Sequence, residues 1–554
     1  MATPRNYGIS GSSEDEKGGI GMVSPYLKEM NGKKVLIVNE KPFLILAGEV
    51  HNSSSSSSEY MSGVWEKADN LGMNSVLLPV TWENIEPAEG AFDFSLVDQL
   101  ITQAREYNKK IVLLWFGSWK NAQCYYAPSW VKRNTSRFKR AEVKKGQNFT
   151  KLEDFYEMPY TTLSYLCEET RQADARAFKE LMKHIKEYDA EENTVIMVQV
   201  ENEPGLQGAA RENSDEADEL FQSEVPADFV AFMKNNTASM AEDVKQAIKH
   251  GANEGNWTEV FGEVAAEIFS SYHVATYINT VAAAGKKEYA LPLSVNCWLD
   301  KGQKPGMYPS GGPVSRMMEV WKFCADEIDV IAPDIYVPNF LDVCDEYIKL
   351  GNPLFIPETV THAYAGPRQV YVVGHYHALG YAPFGFEDMG EEFSAIDSYL
   401  FGVETTDPLF KEPQDVQEYQ WITRTLNELS PLLAHKYGTT DLQAVSCERK
   451  DQDSMVFGEY GIKVMMDSHM NSRRDGVCLA LKIAEDEFYV LVNGCIIHPL
   501  SLDQKNPYVG VLSLEEGRFE AGNWKMHRRL NGDEVAIMRY EKPTLLRMKL
   551  YSYK

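Results

Sequence analysis

The chain has 554 residues, 44% of them hydrophobic and 25% charged, with a formal net charge of −26. That length exceeds one ordinary domain, and the composition can bury a core. The acidic excess argues against nucleic acid, an anionic membrane surface or a polyanionic substrate as partner.

Residues 1–23 are rich in Gly, Ser and Glu and are expected to be a flexible lead-in. No basic region followed by an apolar run opens the chain, so no signal peptide is expected. No stretch approaches the ~20 apolar residues of a membrane span. From 24 to 438, short apolar runs alternate with helical stretches, the pattern of βα repeats. The runs are 43–48, 75–80, 111–115, 194–200, 291–295, 328–332, 354–356 and 378–382. Eight strands are what a (β/α)₈ barrel needs. Helices are expected over 58–71, 94–107, 173–188 and 415–435, where apolar residues recur near a 3.6 period. The serine run 53–58 falls between a strand end and a helix, where one Ser would serve as N-cap. Long inserts at 120–172 and 206–285 follow the third and fourth strands, so both would lie on the catalytic face. Past 439 the pattern becomes short and β-rich, at 455–458, 461–466, 476–483, 487–492 and 535–540. An antiparallel, sandwich-like β domain is expected over 439–554. The fold class is therefore α/β, a TIM barrel followed by a smaller β domain.

The chemistry sits at the strand ends. The fourth run ends in Glu201-Asn202-Glu203-Pro204-Gly205, and the seventh in Pro357-Glu358-Thr359. Carboxylates at the C-terminal ends of two barrel strands can flank one scissile bond, the minimum for glycoside hydrolysis. The eight cysteines form no CxxC pair and no His/Cys ligand spacing, which suits free thiols in a reduced compartment. A cytoplasmic location is expected, with a secreted or periplasmic one as the alternative. No metal or organic cofactor is expected. A small-molecule or oligosaccharide substrate is the expected partner, with neither nucleic acid nor membrane, and homo-oligomerisation stays open.

The segment from Val198 to Gly205 resembles the acid/base strand of retaining glycosidases of the large barrel clan, especially glycoside hydrolase family 35. Residues 75–94 resemble the second-strand segment shared by the β-galactosidases of families 35 and 42, and Gly48-Glu49-Val50-His51 resembles the first-strand signature of family 35. Pro204 stands where family 35 usually has Tyr, which marks a divergent branch. The resemblance implies Glu203 as general acid/base and Glu358 as nucleophile. It implies that Asn202 bonds the sugar 2-hydroxyl and that Tyr336 donates to Glu358. Beside it, Trp82, Trp115, Trp119, Trp298 and Phe386 stand at strand ends as candidate stacking platforms, and Glu49, His51, Glu83 and Asn296 as candidates for hydroxyl recognition. Glu201 is given no catalytic part. The function implied is a retaining exo-β-galactosidase acting by double displacement. The alternatives are another retaining glycosidase of the clan (β-glucosidase, exo-β-galactosaminidase or endo-glycanase), a non-catalytic carbohydrate-binding protein, and, remotely, a metal-dependent hydrolase.

Overall fold

The computed structural model describes residues 23–152, 156–394, 408–467 and 474–554. Apart from Val23, the expected lead-in lies outside the described residues. A three-stranded antiparallel sheet comes first, Tyr26–Met30, Lys33–Val38 and Lys41–Phe43. Its Leu36 and Val38 enter the apolar interior of the barrel that follows, beside Ile45, Leu77, Val112 and Val330. The sheet therefore plugs the barrel from the end opposite the strand C-termini.

All eight expected strands form. They are β1 (Ile45–Glu49), β2 (Ser75–Thr81), β3 (Lys110–Phe116), β4 (Val195–Val200), β5 (Leu293–Trp298), β6 (Val330–Ile335), β7 (Phe355–Ile356 and Glu358–Thr359) and β8 (Gly380–Tyr381). Each pairs in parallel with the next, and β8 pairs back onto β1. Strand β7 closes the ring in two halves. Phe355–Ile356 bonds to β8 and Glu358–Thr359 to β6, with Pro357, which has no N–H to give a ladder, at the break.

Side chains alternate along each strand. On β3, Val112, Leu114 and Phe116 fill the barrel interior, whereas Ile111, Leu113 and Trp115 face the helices. The break at Pro357 shifts this phase. Phe355 faces the interior and Ile356 the helices, so strict alternation would turn Glu358 outward. It points into the barrel mouth instead.

The surrounding helices include α1 (Ser58–Asn70), α2 (Ser95–Glu106), α3 (Glu168–Asp189), α4 (Ala265–Glu288), α5 (Met318–Cys324), α6 (Phe340–Tyr347), α7 (Ala365–Tyr371) and α8 (Val416–His435). Ser57 of the serine run caps α1 by accepting from Tyr60 N. The insert expected to end at 285 cuts into α4, whose first turns pack on a cluster of Phe229, Trp257, Phe269 and Tyr272. The preceding stretch is helical, at Asp215–Gln222, Ala227–Asn235, Glu242–His250 and Trp257–Phe261. Among the described residues no helix is long and apolar enough to cross a membrane.

After α8 come a six-stranded and a four-stranded antiparallel sheet. Cys478, Val490 and Met548 of the first meet Met455, Ile462 and Val464 of the second in a common core. The expected strand over 535–540 is corrected. Asp533–Ala536 is a helical turn and only Arg539–Tyr540 is extended. The outer face of the larger sheet carries Leu479, Leu491 and Leu545 into the core of the barrel's helical layer. A buried ion pair is among the polar ties that cross this junction. Arg368 of α7 is 2% exposed. Its Nε donates to Glu448 Oε1 at 3.0 Å and its Nη2 to Glu448 Oε2 at 2.9 Å.

Candidate active site

The end of β4 turns sharply. Glu201 (φ 63°) and Glu203 (φ 46°) both take the left-handed region, which non-glycine residues rarely enter. Asn296 on β5 accepts from Glu203 N at 2.8 Å, and Glu203 O accepts from Ala122 N at 3.1 Å. This strain aims the two carboxylates in different directions. Glu201 turns away from the mouth and accepts from Gly117 N (3.2 Å) and Trp119 N (2.7 Å), beside Asp174. Burial, then Asp174, push its pKa well up. A Cβ on Gly117 would collide with the Trp115 indole and with both carboxylates, so the loop can pass there only as glycine.

Glu203 points into the mouth, where its carboxylate oxygens, those of Asp334 on β6 and those of Glu358 include atoms within 4.8 Å of one another. Three donors hold Glu358. Asn202 Nδ2 (3.2 Å) and Asn296 Nδ2 (3.1 Å) donate to Oε1, and Tyr336 OH (2.7 Å) to Oε2. Such donors stabilise a charged carboxylate. Three clustered carboxylates resemble a seat for a hard cation, but here both oxygens of Glu358 are already taken by N–H and O–H donors. Glu203 is in a different condition. Burial, then Glu358, raise its pKa to about 8, with Lys120 opposing. Asp334 is driven well above the usual range by burial, then by Glu358 and Glu203. It accepts from Asn296 Nδ2 at 2.9 Å.

Glu203, Glu358, Asn202, Asn296 and Tyr336 thus meet in one cluster. Glu49, at the end of β1, is wholly buried beside them. Burial, then Glu358, raise its pKa well up, and neither carboxylate oxygen has a hydrogen-bond partner among the described residues. His51 sits at the rim, 41% exposed, bonded to Asp388 at 2.7 Å. Glu83 is also peripheral, paired with Lys132 at 3.0 Å. Trp298 shares its strand phase with Asn296 and is half-buried at the mouth.

The other aromatic platforms are corrected. Trp82 is fully buried and donates to Glu86 at 2.9 Å, and Trp115 likewise to Asp174 at 2.9 Å. Phe386 packs on Gly48. All three fall in the layer between strands and helices. Trp119 packs edge-on against Tyr277 in the same layer. A strand-end position cannot tell the two faces apart, and the phase of each strand decides. Two site residues carry no sequence mark. Lys120 lies just past β3, buried, with Nζ 2.9 Å from Asn202 Oδ1. Asp334 reads in sequence only as a strand-end acid.

Residues 35–156 match the family model for glycosyl hydrolases family 35. The matched segment carries Glu49 and Lys120 and ends before Glu203. Residues 422–540 match a domain of unknown function, DUF5597. No curated protein matches the chain. Among solved structures, similar ones include the β-galactosidase from Bacillus circulans sp. alkalophilus, at 14% identity and TM-score 0.45, over 70% of this chain and 57% of that one. The cold-adapted β-galactosidase from Rahnella sp. R3 matches at 15% identity and TM-score 0.44, over 71% and 57%. An exo-β-1,4-mannosidase from Opitutaceae bacterium strain TAV5 matches at 13% and 0.41, over 71% and 61%. The chain thus spans 57% of the length of the first two. At these scores the likeness carries no argument about substrate.

Proposed function

We propose that the protein is a retaining exo-β-glycosidase that releases terminal non-reducing β-D-galactosyl units by double displacement. The observation that carries this is the pairing of a buried Glu203, its pKa raised to about 8, with a donor-held Glu358, oxygens of the two lying within 4.8 Å. Retaining sites place their carboxyl groups about 5–5.5 Å apart, whereas inverting sites need about 6.5–9.5 Å to admit a water.

In the first step a Glu358 oxygen attacks the anomeric carbon while the glycosidic C–O bond breaks and Glu203 gives its proton to the leaving oxygen. In the second, Glu203 takes a proton from water, the water oxygen bonds the anomeric carbon, and Glu358 leaves as carboxylate. The mechanism asks one group to hold a proton and the other to attack; burial and Glu358 raise the Glu203 pKa, and three donors orient Glu358. Tyr336 and the two asparagines disperse the charge on Glu358 until attack. The galactose preference rests on the family 35 match of residues 35–156.

A panel of 4-nitrophenyl β-glycosides tests the sugar, and Glu358→Gly tests the mechanism. That variant should lose turnover and regain it with azide, giving a product of inverted configuration. A β-glucoside turned over faster than the β-galactoside would overturn the sugar assignment. Failure of azide to rescue a folded Glu358→Gly would overturn the nucleophile.

A further inference from the structure

We propose that Lys120 is a specificity-determining residue that, together with Glu49, grips the 3- and 4-hydroxyls of the bound sugar. This assignment rests on the glycosidase reading above.

Lys120 stands just past β3 on a loop held from behind. Glu201 anchors the backbone at Gly117 and Trp119, and Lys120 N and Gln123 N exchange bonds with each other's carbonyls at 2.8 and 3.0 Å. The side chain crosses the faces of Phe116 and Phe384, with Nζ 5.1 and 6.0 Å from the ring centroids. Four carboxylates surround the ammonium, Glu358, Glu203, Glu49 and Asp334, and their field outweighs burial to keep it charged. Its hydrogen bond nevertheless goes to an amide oxygen, that of Asn202. A lysine needed only to neutralise acids would rest against one of them. An ammonium has three N–H donors, and Asn202 takes one.

Glu49 presents the complement. It is wholly buried with both oxygens unpartnered among the described residues. A buried polar group left so is costly until a ligand meets it. Each sugar hydroxyl offers both a donor and an acceptor. Lysine can only donate, whereas the Glu49 carboxyl offers an acceptor oxygen in either protonation state. The two together satisfy a hydroxyl pair that neither satisfies alone.

The contacts of Asn202, with its resemblance-implied place at the 2-hydroxyl, assign the hydroxyls. The Asn202 amide turns its nitrogen to Glu358 and its oxygen to Lys120. With Glu358 below the anomeric carbon and Asn202 at the 2-hydroxyl, Lys120 comes next, at the 3-hydroxyl. Glu49, which feels the charges of both Glu358 and Lys120, is assigned to the neighbouring 3- or 4-hydroxyl.

The test compares wild type, Lys120→Met and Glu49→Gln on 4-nitrophenyl β-D-galactoside and its 2-, 3-, 4- and 6-deoxy analogues. Lys120→Met should lower kcat/KM on the parent by about 100-fold, the range for a lost hydrogen bond to a charged group. Part of that loss comes from freeing Asn202 and is common to every substrate. The loss on the 3-deoxy sugar should therefore be about tenfold smaller than on the 6-deoxy sugar, and Glu49→Gln should show the same relief on the 3- or 4-deoxy sugar. Equal losses across all analogues would leave Lys120 as a brace for Asn202 and overturn the proposal while the glycosidase reading stands. If thermal melting shows Lys120→Met unfolded, Glu49→Gln decides alone. Calorimetric binding of free galactose and 3-deoxygalactose separates the remaining outcomes. A protein that binds galactose through this clamp but cleaves no glycoside overturns the hydrolase reading alone, and one that neither binds nor cleaves overturns both.

Discussion

Glu448→Ala should damage this protein far beyond its own contacts. The residue belongs to the β-rich part, and it is the carboxylate partner of Arg368, a guanidinium that is 2% exposed. Without it, the side-chain hydrogen-bond partners left to Arg368 among the described residues are Pro338 O at 3.4 Å and His362 Nε2 at 3.3 Å. His362 is neutral, its pKa pushed well down by burial and by Arg368 itself. Removing one partner of a buried pair costs about 3–5 kcal/mol, because the other charge is stranded. The Phe340 ring, 4.4 Å below the guanidinium, offsets part of this, a desolvated cation–π contact being worth about 2 kcal/mol. The expected net loss is therefore about 1–3 kcal/mol. It should appear as a lower urea midpoint by tryptophan fluorescence and circular dichroism. Activity should fall too, since Pro338 and His362 flank the segments carrying Tyr336 and Glu358. Replacing both partners by apolar residues, Arg368→Met with Glu448→Leu, should restore most of the stability. A Glu448→Ala variant within about 0.5 kcal/mol of wild type, the range of ordinary surface changes, would refute the reasoning.

Glu203 must be protonated to act as acid, so kcat/KM should fall as pH rises through about 8. Glu203→Gln should abolish cleavage of alkyl β-galactosides yet spare kcat/KM for 2,4-dinitrophenyl β-galactoside, whose leaving group needs no proton, while kcat on that substrate falls for want of the base; equal losses in kcat/KM would remove Glu203 from the acid role. The same raised pKa makes a stability prediction. Between the unfolded value near 4.5 and about 8 the native state holds the extra proton, so its contribution is full below 4.5 and lost as pH rises. Glu203→Gln should accordingly gain stability over wild type on going from pH 5 to pH 8, by up to about 4 kcal/mol at 1.36 kcal/mol per unit; a constant difference across that range would be the contrary result. Tyr336→Phe removes the 2.7 Å bond to Glu358 and should lower kcat about 10- to 100-fold, the worth of a hydrogen bond to a charged group, with an unchanged kcat the refuting outcome.

The barrel strands are legible in the sequence because a strand buried on both faces must be apolar throughout, and few other elements are so short and so apolar. Glu203 and Glu358 are legible because each ends such a run. Lys120 is not, because a lysine after a strand reads as solvated, and only the four acids brought near it by folding make it special. Trp82, Trp115 and Phe386 mislead for a related reason: their chemistry suits a sugar, but the phase of the backbone turns them to the helices. The outer strands of the β-rich part, such as Asn523–Leu530, are charged and exposed and lack the alternation that marks a strand. They are held by pairing and by ties such as Arg528 to Glu516 at 2.8 Å, which no local pattern announces.

The two-part β7 has a consequence for how the protein is made. The ring closes only when β8 returns to β1, where Ile45 N meets Leu379 O at 3.0 Å, and the nucleophile stands on the neighbouring split strand. A contact between residues so distant in sequence forms late, since the intervening loop must first be ordered. On the ribosome, with synthesis at about 5–20 residues per second, the acid/base emerges long before its partner. Arg368 then waits a further 80 residues for Glu448. The nascent chain thus passes through a stage in which an open barrel exposes both its last strand edges and an unpaired arginine. In that interval the protein is open to edge-to-edge association and proteolysis; the return of β8 to β1 closes the edges, and the arrival of the β-rich part then pairs the arginine.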